Sequence, residues 1–255
     1  METDGAAGAE DRPGTHRAGR DGRPVRTSVR WPWPWWGSRP TPLWVEAGVL
    51  VLVAVLLSVA VKALFLQTFY VPSESMEPTL TGHDDGIQDR IVVQKVSYWG
   101  RDPHRGEVVV FRDPGGWLRT EEAARPNTAQ RLLATAGLYP SGGHLVKRVI
   151  GVGGDRVQCC DTQGRIEING LPIEEDYVLD PEATARSPFD VTVPEGYLWV
   201  MGDNRANSAD SRAHASEPGD GFVPVDMVVG KVAFVVWPWD DRAVLEDPEV
   251  FDSLD

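Results

Sequence analysis

Cysteine is nearly absent from this 255-residue chain: Cys159 and Cys160 are the only two, and they are adjacent. No zinc ligand set with standard spacing can be built from them. They are expected to remain two solvent-shielded thiols, with a strained vicinal disulfide as the alternative in an oxidising compartment. Positive charge is also scarce. Against 38 Asp and Glu stand 25 Lys and Arg, for a net charge of −13. Phosphate binding needs a basic surface, which argues against nucleic acid as the partner. The chain has no internal repeat and no second long apolar run. It lacks a Gly-x-Ser-x-Gly elbow, which argues against that class of Ser-His-Asp hydrolase. It also lacks Ser-x-x-Lys and Lys-Thr-Gly, which argues against a penicillin-binding enzyme.

What is present is uneven. Residues 1–42 are rich in Gly, Arg, Ala and Pro, show no hydrophobic period, and read as a disordered tail. Within them, Trp31-Pro32-Trp33-Pro34-Trp35-Trp36 excludes a regular helix and suits a membrane–water interface. Leu43 to Leu66 is almost uninterruptedly apolar, with its two charges, Glu46 and Lys62, near the ends. As a helix it spans about 36 Å, more than the roughly 30 Å hydrocarbon core of a bilayer. A single transmembrane helix is expected. Arg26, Arg30 and Arg39 precede it, and after Lys62 no Lys or Arg appears until Arg90. The basic flank predicts a cytoplasmic N-terminus and an extracytoplasmic remainder.

Beyond the span come short runs rich in Val and Ile, broken by Gly, Pro and Asp. The pattern predicts strands near 90–96, 107–111, 145–152, 156–159, 165–169, 197–201 and 231–236. Asp161-Thr162-Gln163-Gly164 suits a hairpin turn. The fold class is therefore mainly β: a membrane-anchored β-sheet core over 67–238, with a smaller hairpin-rich lobe at 155–195. A surface insertion is expected at 113–144, carrying a short helix from Asn127 to Gly137. Residues 239–255 form an acidic tail.

Three polar clusters carry the chemistry. In Val71-Pro72-Ser73-Glu74-Ser75-Met76-Glu77-Pro78-Thr79-Leu80, two prolines stiffen a loop with two hydroxyls. Such a loop suits a nucleophile and an oxyanion hole. It suits a plain helix-to-strand turn as well. Lys147-Arg148 opens an apolar run, where alternation turns one cation inward. A lysine in an apolar site loses its proton easily, and a base needs this, since at a free pKa of about 10.4 under 1% is neutral at pH 7. The bland alternative is an edge-strand cation in water. Gly202-Asp203-Asn204-Arg205 through Ser208, Asp210 and Arg212 forms turns and offers groups to orient a buried lysine. It could equally be a cation-binding loop, but the spacing fails the calcium-loop pattern.

In this order after one span, the clusters resemble the sequence boxes of bacterial signal peptidase I, most closely those of high-GC Gram-positive bacteria. The runs Asp89–Lys95 and Arg105–Phe111 fit too, and the resemblance covers roughly residues 45–238. It implies a serine endopeptidase that cleaves secretory preproteins at small-x-small sites near the outer membrane face. Ser75 matches the nucleophile and Lys147 the general base. Ser73 matches the hydroxyl completing the oxyanion hole with the Ser75 amide, and Ser208 the lysine-orienting serine. Arg148 and Asp210 match a supporting ion pair, with Arg212 nearby, and Asp203, Asn204 and Arg205 shape the loop. Phe69, Val71 and Val146 fall where family members line shallow pockets for small side chains. Glu74 departs from the small residue common there and is expected to face water. No metal or cofactor is implied, and the partners are preproteins and the lipid bilayer, with the chain a monomer. Rival readings are a self-cleaving repressor-type Ser–Lys peptidase and a membrane-tethered binding protein on a degenerate protease scaffold.

Overall fold

The computed structural model describes residues 42–82, 88–118 and 143–254, the side chains of 62 and 63 aside. The Trp/Pro-rich stretch, the 127–137 helix and most of the 113–144 insertion lie outside the described residues. Helix α1, Leu43–Phe65, follows Pro42, whose carbonyl accepts the first N–H bond from Val45. Its Leu, Ala and Val side chains favour helix through apolar uniformity rather than a buried stripe. Leu50, Leu56 and Leu64 are all exposed. A helix apolar on every side yet uncovered suits lipid rather than water. Among the described residues it alone is long and apolar enough to cross a membrane.

No break follows α1. Strand β1, Leu66–Tyr70, begins at the next residue and pairs with β2, Arg90–Gln94. Ten further strands follow: β3 Val108–Arg112, β4 His144–Val152, β5 Arg156–Cys159, β6 Ile166–Ile168, β7 Leu171–Pro172, β8 Phe189–Thr192, β9 Tyr197–Met201, β10 Val223–Pro224, β11 Val228–Trp237 and β12 Ala243–Val244. A single helical turn, α2, spans Glu182–Ala185. The fold is mainly β, as the sequence pattern implied. The large sheet runs β1-β2-β11-β3-β4-β9-β10, with β12 on β11, and every pairing is antiparallel. A second sheet, β7-β6-β5-β8, occupies residues 156–192. Both belong to one unit, Ala47–Asp255.

The β5–β6 hairpin turns where the Asp161 run predicted it. Asp161 Oδ1 accepts the N–H groups of Gln163 and Arg165, and Gly164 takes φ +84°. Just before it, Cys159 and Cys160 are joined by a disulfide, not the expected pair of thiols. Cys159 ends β5, pinned between Ile166 and Phe189, and the chain turns there, bringing the two sulfurs together.

Alternation sorts the side chains. Phe69, Ile91, Val93, Val110 and Val232 form one apolar cluster beneath the β1 end of the large sheet. Ile150, Val157, Ile166, Ile168 and Trp199 form another between the two sheets. Burial of each such side chain stabilises by about 1.5–3 kcal/mol. Trp199 is fully buried, with its ring 5.4 Å from Phe189 and 5.5 Å from Phe222. Trp199→Ala should therefore lower folding stability by about 3–5 kcal/mol. A denaturant midpoint unchanged by this substitution would contradict the packing.

Candidate active site

Ser73 caps a single 3-10 turn, Glu74–Met76. Its backbone is extended, and its Oγ accepts the Ser75 N–H at 3.2 Å. Met76 is buried in the β1-end cluster and anchors the turn, so Ser75 points inward and is 6% exposed. Lys147 lies in β4, opposite Val109. Its Nζ donates to Ser75 Oγ at 2.7 Å and to the Val146 carbonyl at 2.9 Å. The lysine is only 4% exposed. Burial disfavours the ammonium and pulls its pKa from 10.5 down to about 8, while Asp210 and Asp203 pull the other way. At pH 7 roughly a tenth of such a lysine is neutral, against well under 1% of a free one.

The two carboxylates are themselves paired. Arg148 grips Asp203 with two bonds, Nε to Oδ1 at 2.9 Å and Nη2 to Oδ2 at 2.6 Å. Arg212 grips Asp210 likewise, at 2.9 and 2.8 Å. Burial pushes the Asp210 carboxyl up, but Arg212 and the Gly202 N–H outweigh it and hold it below the usual range. The expected Arg148–Asp210 pair is thus corrected. Strand register explains the exchange: Arg148 sits opposite Met201, so Asp203, two residues on, shares its face. Asp210 lies on the far limb of the loop beside Arg212.

Ser208 also differs from expectation. Among the described residues it makes no hydrogen bond with Lys147; the Val146 carbonyl serves instead, supplied by the lysine's own strand. Ser208 Oγ is buried near enough to Asp210 to help keep it ionised, without a bond of ordinary geometry. Glu74 is exposed, and its carboxylate accepts from Asn207 Nδ2 at 3.0 Å. Phe69 and Val71 are buried together in one cluster, and Val146 packs against it.

Some contributors escaped the sequence. Thr79 donates to Asp203 Oδ2 at 2.6 Å, tying the Ser73–Ser75 loop to the third cluster. The Asn204 N–H donates to the Ser75 carbonyl at 3.1 Å. Gly202 permits this approach: a Cβ there would fall 2.3 Å from both Ser75 O and Ser208 Oγ. The only sequence signal was the glycine opening a polar run, which a plain turn explains as well. Arg205, buried, closes the loop by binding Glu175 at 2.7 and 2.8 Å.

A dry amine bonded to a hydroxyl can take its proton, which is the arrangement that activates a serine nucleophile. Residues 44–237 match the signal peptidase, peptidase S26 family, and the chain belongs to that family of serine peptidases. Signal peptidase I of Mycobacterium tuberculosis is 41% identical over 214 residues, covering 76% of this chain and 72% of its own. A probable signal peptidase I of Mycobacterium leprae is 39% identical, covering 77% and 76%. A solved signal peptidase I from Enterococcus faecalis V583 is 26% identical, covering 52% of this chain and 97% of its own, with a TM-score of 0.33.

Arg148→Met should leave Asp203 charged, buried and unpaired beside Lys147. Breaking such a pair costs about 3–5 kcal/mol of folding stability. Denaturant unfolding measures this, and wild-type stability in the variant would contradict the pairing.

Proposed function

We propose that this chain removes signal peptides from secreted preproteins at small-x-small sites, through an acyl-enzyme on Ser75. The observation that carries this reading is the 2.7 Å bond between a buried Lys147 amine and the Ser75 hydroxyl. Neutral Lys147 takes the Ser75 proton as Oγ attacks the scissile carbonyl. The tetrahedral intermediate collapses, the C–N bond breaks, and the new ammonium of Lys147 returns the proton to the leaving amine. Lys147 then deprotonates a water that attacks the ester, and Ser75 recovers its proton.

The Ser75 amide and the Ser73 hydroxyl form the oxyanion hole. At rest the amide donates to Ser73 Oγ. As charge develops, Ser73 turns so that its own O–H donates to the oxyanion. A donor of this kind contributes about 100- to 1000-fold in rate. Phe69, Val71 and Val146 line an apolar floor suited to small substrate side chains. Arg148, Asp203, Asp210 and Arg212 position the lysine and moderate the charge around it. Because nucleophile and base come from one chain, a monomer suffices.

The chain sits in a cell membrane through α1, with its N-terminus cytoplasmic and its peptidase part outside. The outer face of the β1 end supports this. Cross-strand rows place Thr68, Val92, Phe234 and Val244 together, and Tyr70, Arg90 and Trp237 together. Tyr70, Phe234, Trp237 and Val244 are 43% to 63% exposed, and Trp239 is 61% exposed. A solvated antiparallel sheet ordinarily alternates to polar residues on its outer face. Here that face is largely apolar, carries Trp and Tyr, and follows directly from α1, so it rests on lipid. Phe234→Asp and Trp239→Asp should slow cleavage of a preprotein embedded in vesicles while sparing a soluble peptide. Equal slowing of both substrates would count against the lipid contact.

Ser75→Ala and Lys147→Ala should each abolish cleavage of a model preprotein, with circular dichroism unchanged. The rate should rise as Lys147 deprotonates, through about pH 8, and level off above it. Wild-type rates in either variant, or a rate still climbing at pH 10, would overturn the assignment.

A further inference from the structure

We propose that Glu74 is a specificity-determining residue that reads charge on the leaving side of the substrate, favouring Lys or Arg among the first residues after the scissile bond over Asp or Glu. The inference rests on reading Ser75 and Lys147 as the catalytic pair, and Phe69, Val71 and Val146 as the floor for the residues before that bond. Glu74 directly precedes Ser75 and is exposed. Two other carboxylates of the site, Asp203 and Asp210, are each gripped by an arginine. Among the described residues the Glu74 carboxylate accepts only from Asn207 Nδ2, a neutral amide, at 3.0 Å. Its negative charge meets no cation there.

Ser75 has two flanks. On one lie Val71 and Val146, packed in the apolar cluster with Phe69. Against the other lies the loop after β9. There Asn204 donates its N–H to the Ser75 carbonyl at 3.1 Å and its Nδ2 to the Glu74 carbonyl at 3.2 Å. Asn207, in the same loop, holds the Glu74 carboxylate, so that side chain is turned toward this polar flank. A substrate whose small side chains sit over the apolar floor up to the scissile bond runs on past Ser75 onto the polar flank.

Consecutive Cα atoms lie about 3.8 Å apart, and an extended peptide rises about 3.4 Å per residue. The Glu74 carboxylate is therefore within reach of long side chains on the first three leaving residues. A carboxylate accepts from an ammonium or a guanidinium and repels another carboxylate. Lys147 stands apart from this contact: the carboxylates that act on its pKa are Asp210 and Asp203. Glu74 thus acts on the substrate and not on the base. The contact is solvated, so its size is modest and falls with salt.

The test is a set of soluble peptides that differ only at the second residue after the scissile bond: Lys, Gln and Asp. A companion set carries the same three residues at the fifth position before it. The full chain in detergent should cleave the Lys peptide of the first set with a kcat/KM about fivefold above the Asp peptide at low salt, the scale of one exposed ion pair. The ratio should fall toward one at about 1 M salt, where the Debye length is about 3 Å. Glu74→Gln keeps an acceptor for Asn207 and should bring the ratio to about one at any salt, with the pH midpoint of the rate unmoved. Glu74→Lys should reverse it. Neither substitution should alter the ratio in the companion set. A Lys-to-Asp ratio the same in the unsubstituted chain and in Glu74→Gln, with unfolding midpoints matched, would overturn the role of Glu74 and leave the catalytic pair standing. An equal response of both peptide sets would do the same. Failure of the unsubstituted chain to cleave any peptide would overturn the reading of the pair, and this inference with it.

Discussion

The structure depends on keeping one amine dry. A lysine in water holds its proton, and the Ser75 hydroxyl then has nothing to activate it. Here β4 carries Lys147 inward between buried neighbours, and the cost falls on the folded state as a missing hydration shell. The surrounding carboxylates work against that dryness, since Asp203 and Asp210 both favour the ammonium. Arg148 and Arg212 each occupy one of them with paired bonds. The polar loop is thus a balance: enough negative charge to hold its own arginines, and little left over for the lysine.

The same loop fixes Ser75. Asn204 holds the Ser75 carbonyl, Thr79 holds Asp203, and Gly202 lets the two backbones approach. The Ser75 turn and the loop after β9 are far apart in sequence, yet each bonds the other. Precision at the hydroxyl therefore comes from a contact between segments, with Pro72 and Pro78 stiffening only one of them.

The strands most legible in the sequence were those whose local pattern was unambiguous. β5 and β9 begin and end where branched and aromatic residues meet turn formers, and their bounds match the expectation. β1 was hidden because Leu66–Tyr70 continues the apolar run of the helix without Gly or Pro to mark the change. β8 was hidden too, a short Phe189–Thr192 segment with acidic and apolar residues alternating. The candidate residues were legible because their chemistry is unusual in context: two hydroxyls between prolines, a lysine opening an apolar strand. Which arginine meets which aspartate was not, since that follows from the β4–β9 register, and one residue of slip would change the partner. The Ser208 contact failed for a related reason, because a backbone acceptor such as Val146 O leaves no trace in side-chain identities.

Helix α1 passes into β1 with no spacer. Phe65 ends the helix, its carbonyl accepts the Lys95 N–H, and Leu66 is already aligned with Gln94. Such a joint behaves as an axle, not a tether. Once the helix is seated in a bilayer, any tilt or spin of it turns the sheet as well. The altitude of the Ser75 hydroxyl over the lipid is then set by a few backbone bonds, not by the wandering of a loose chain.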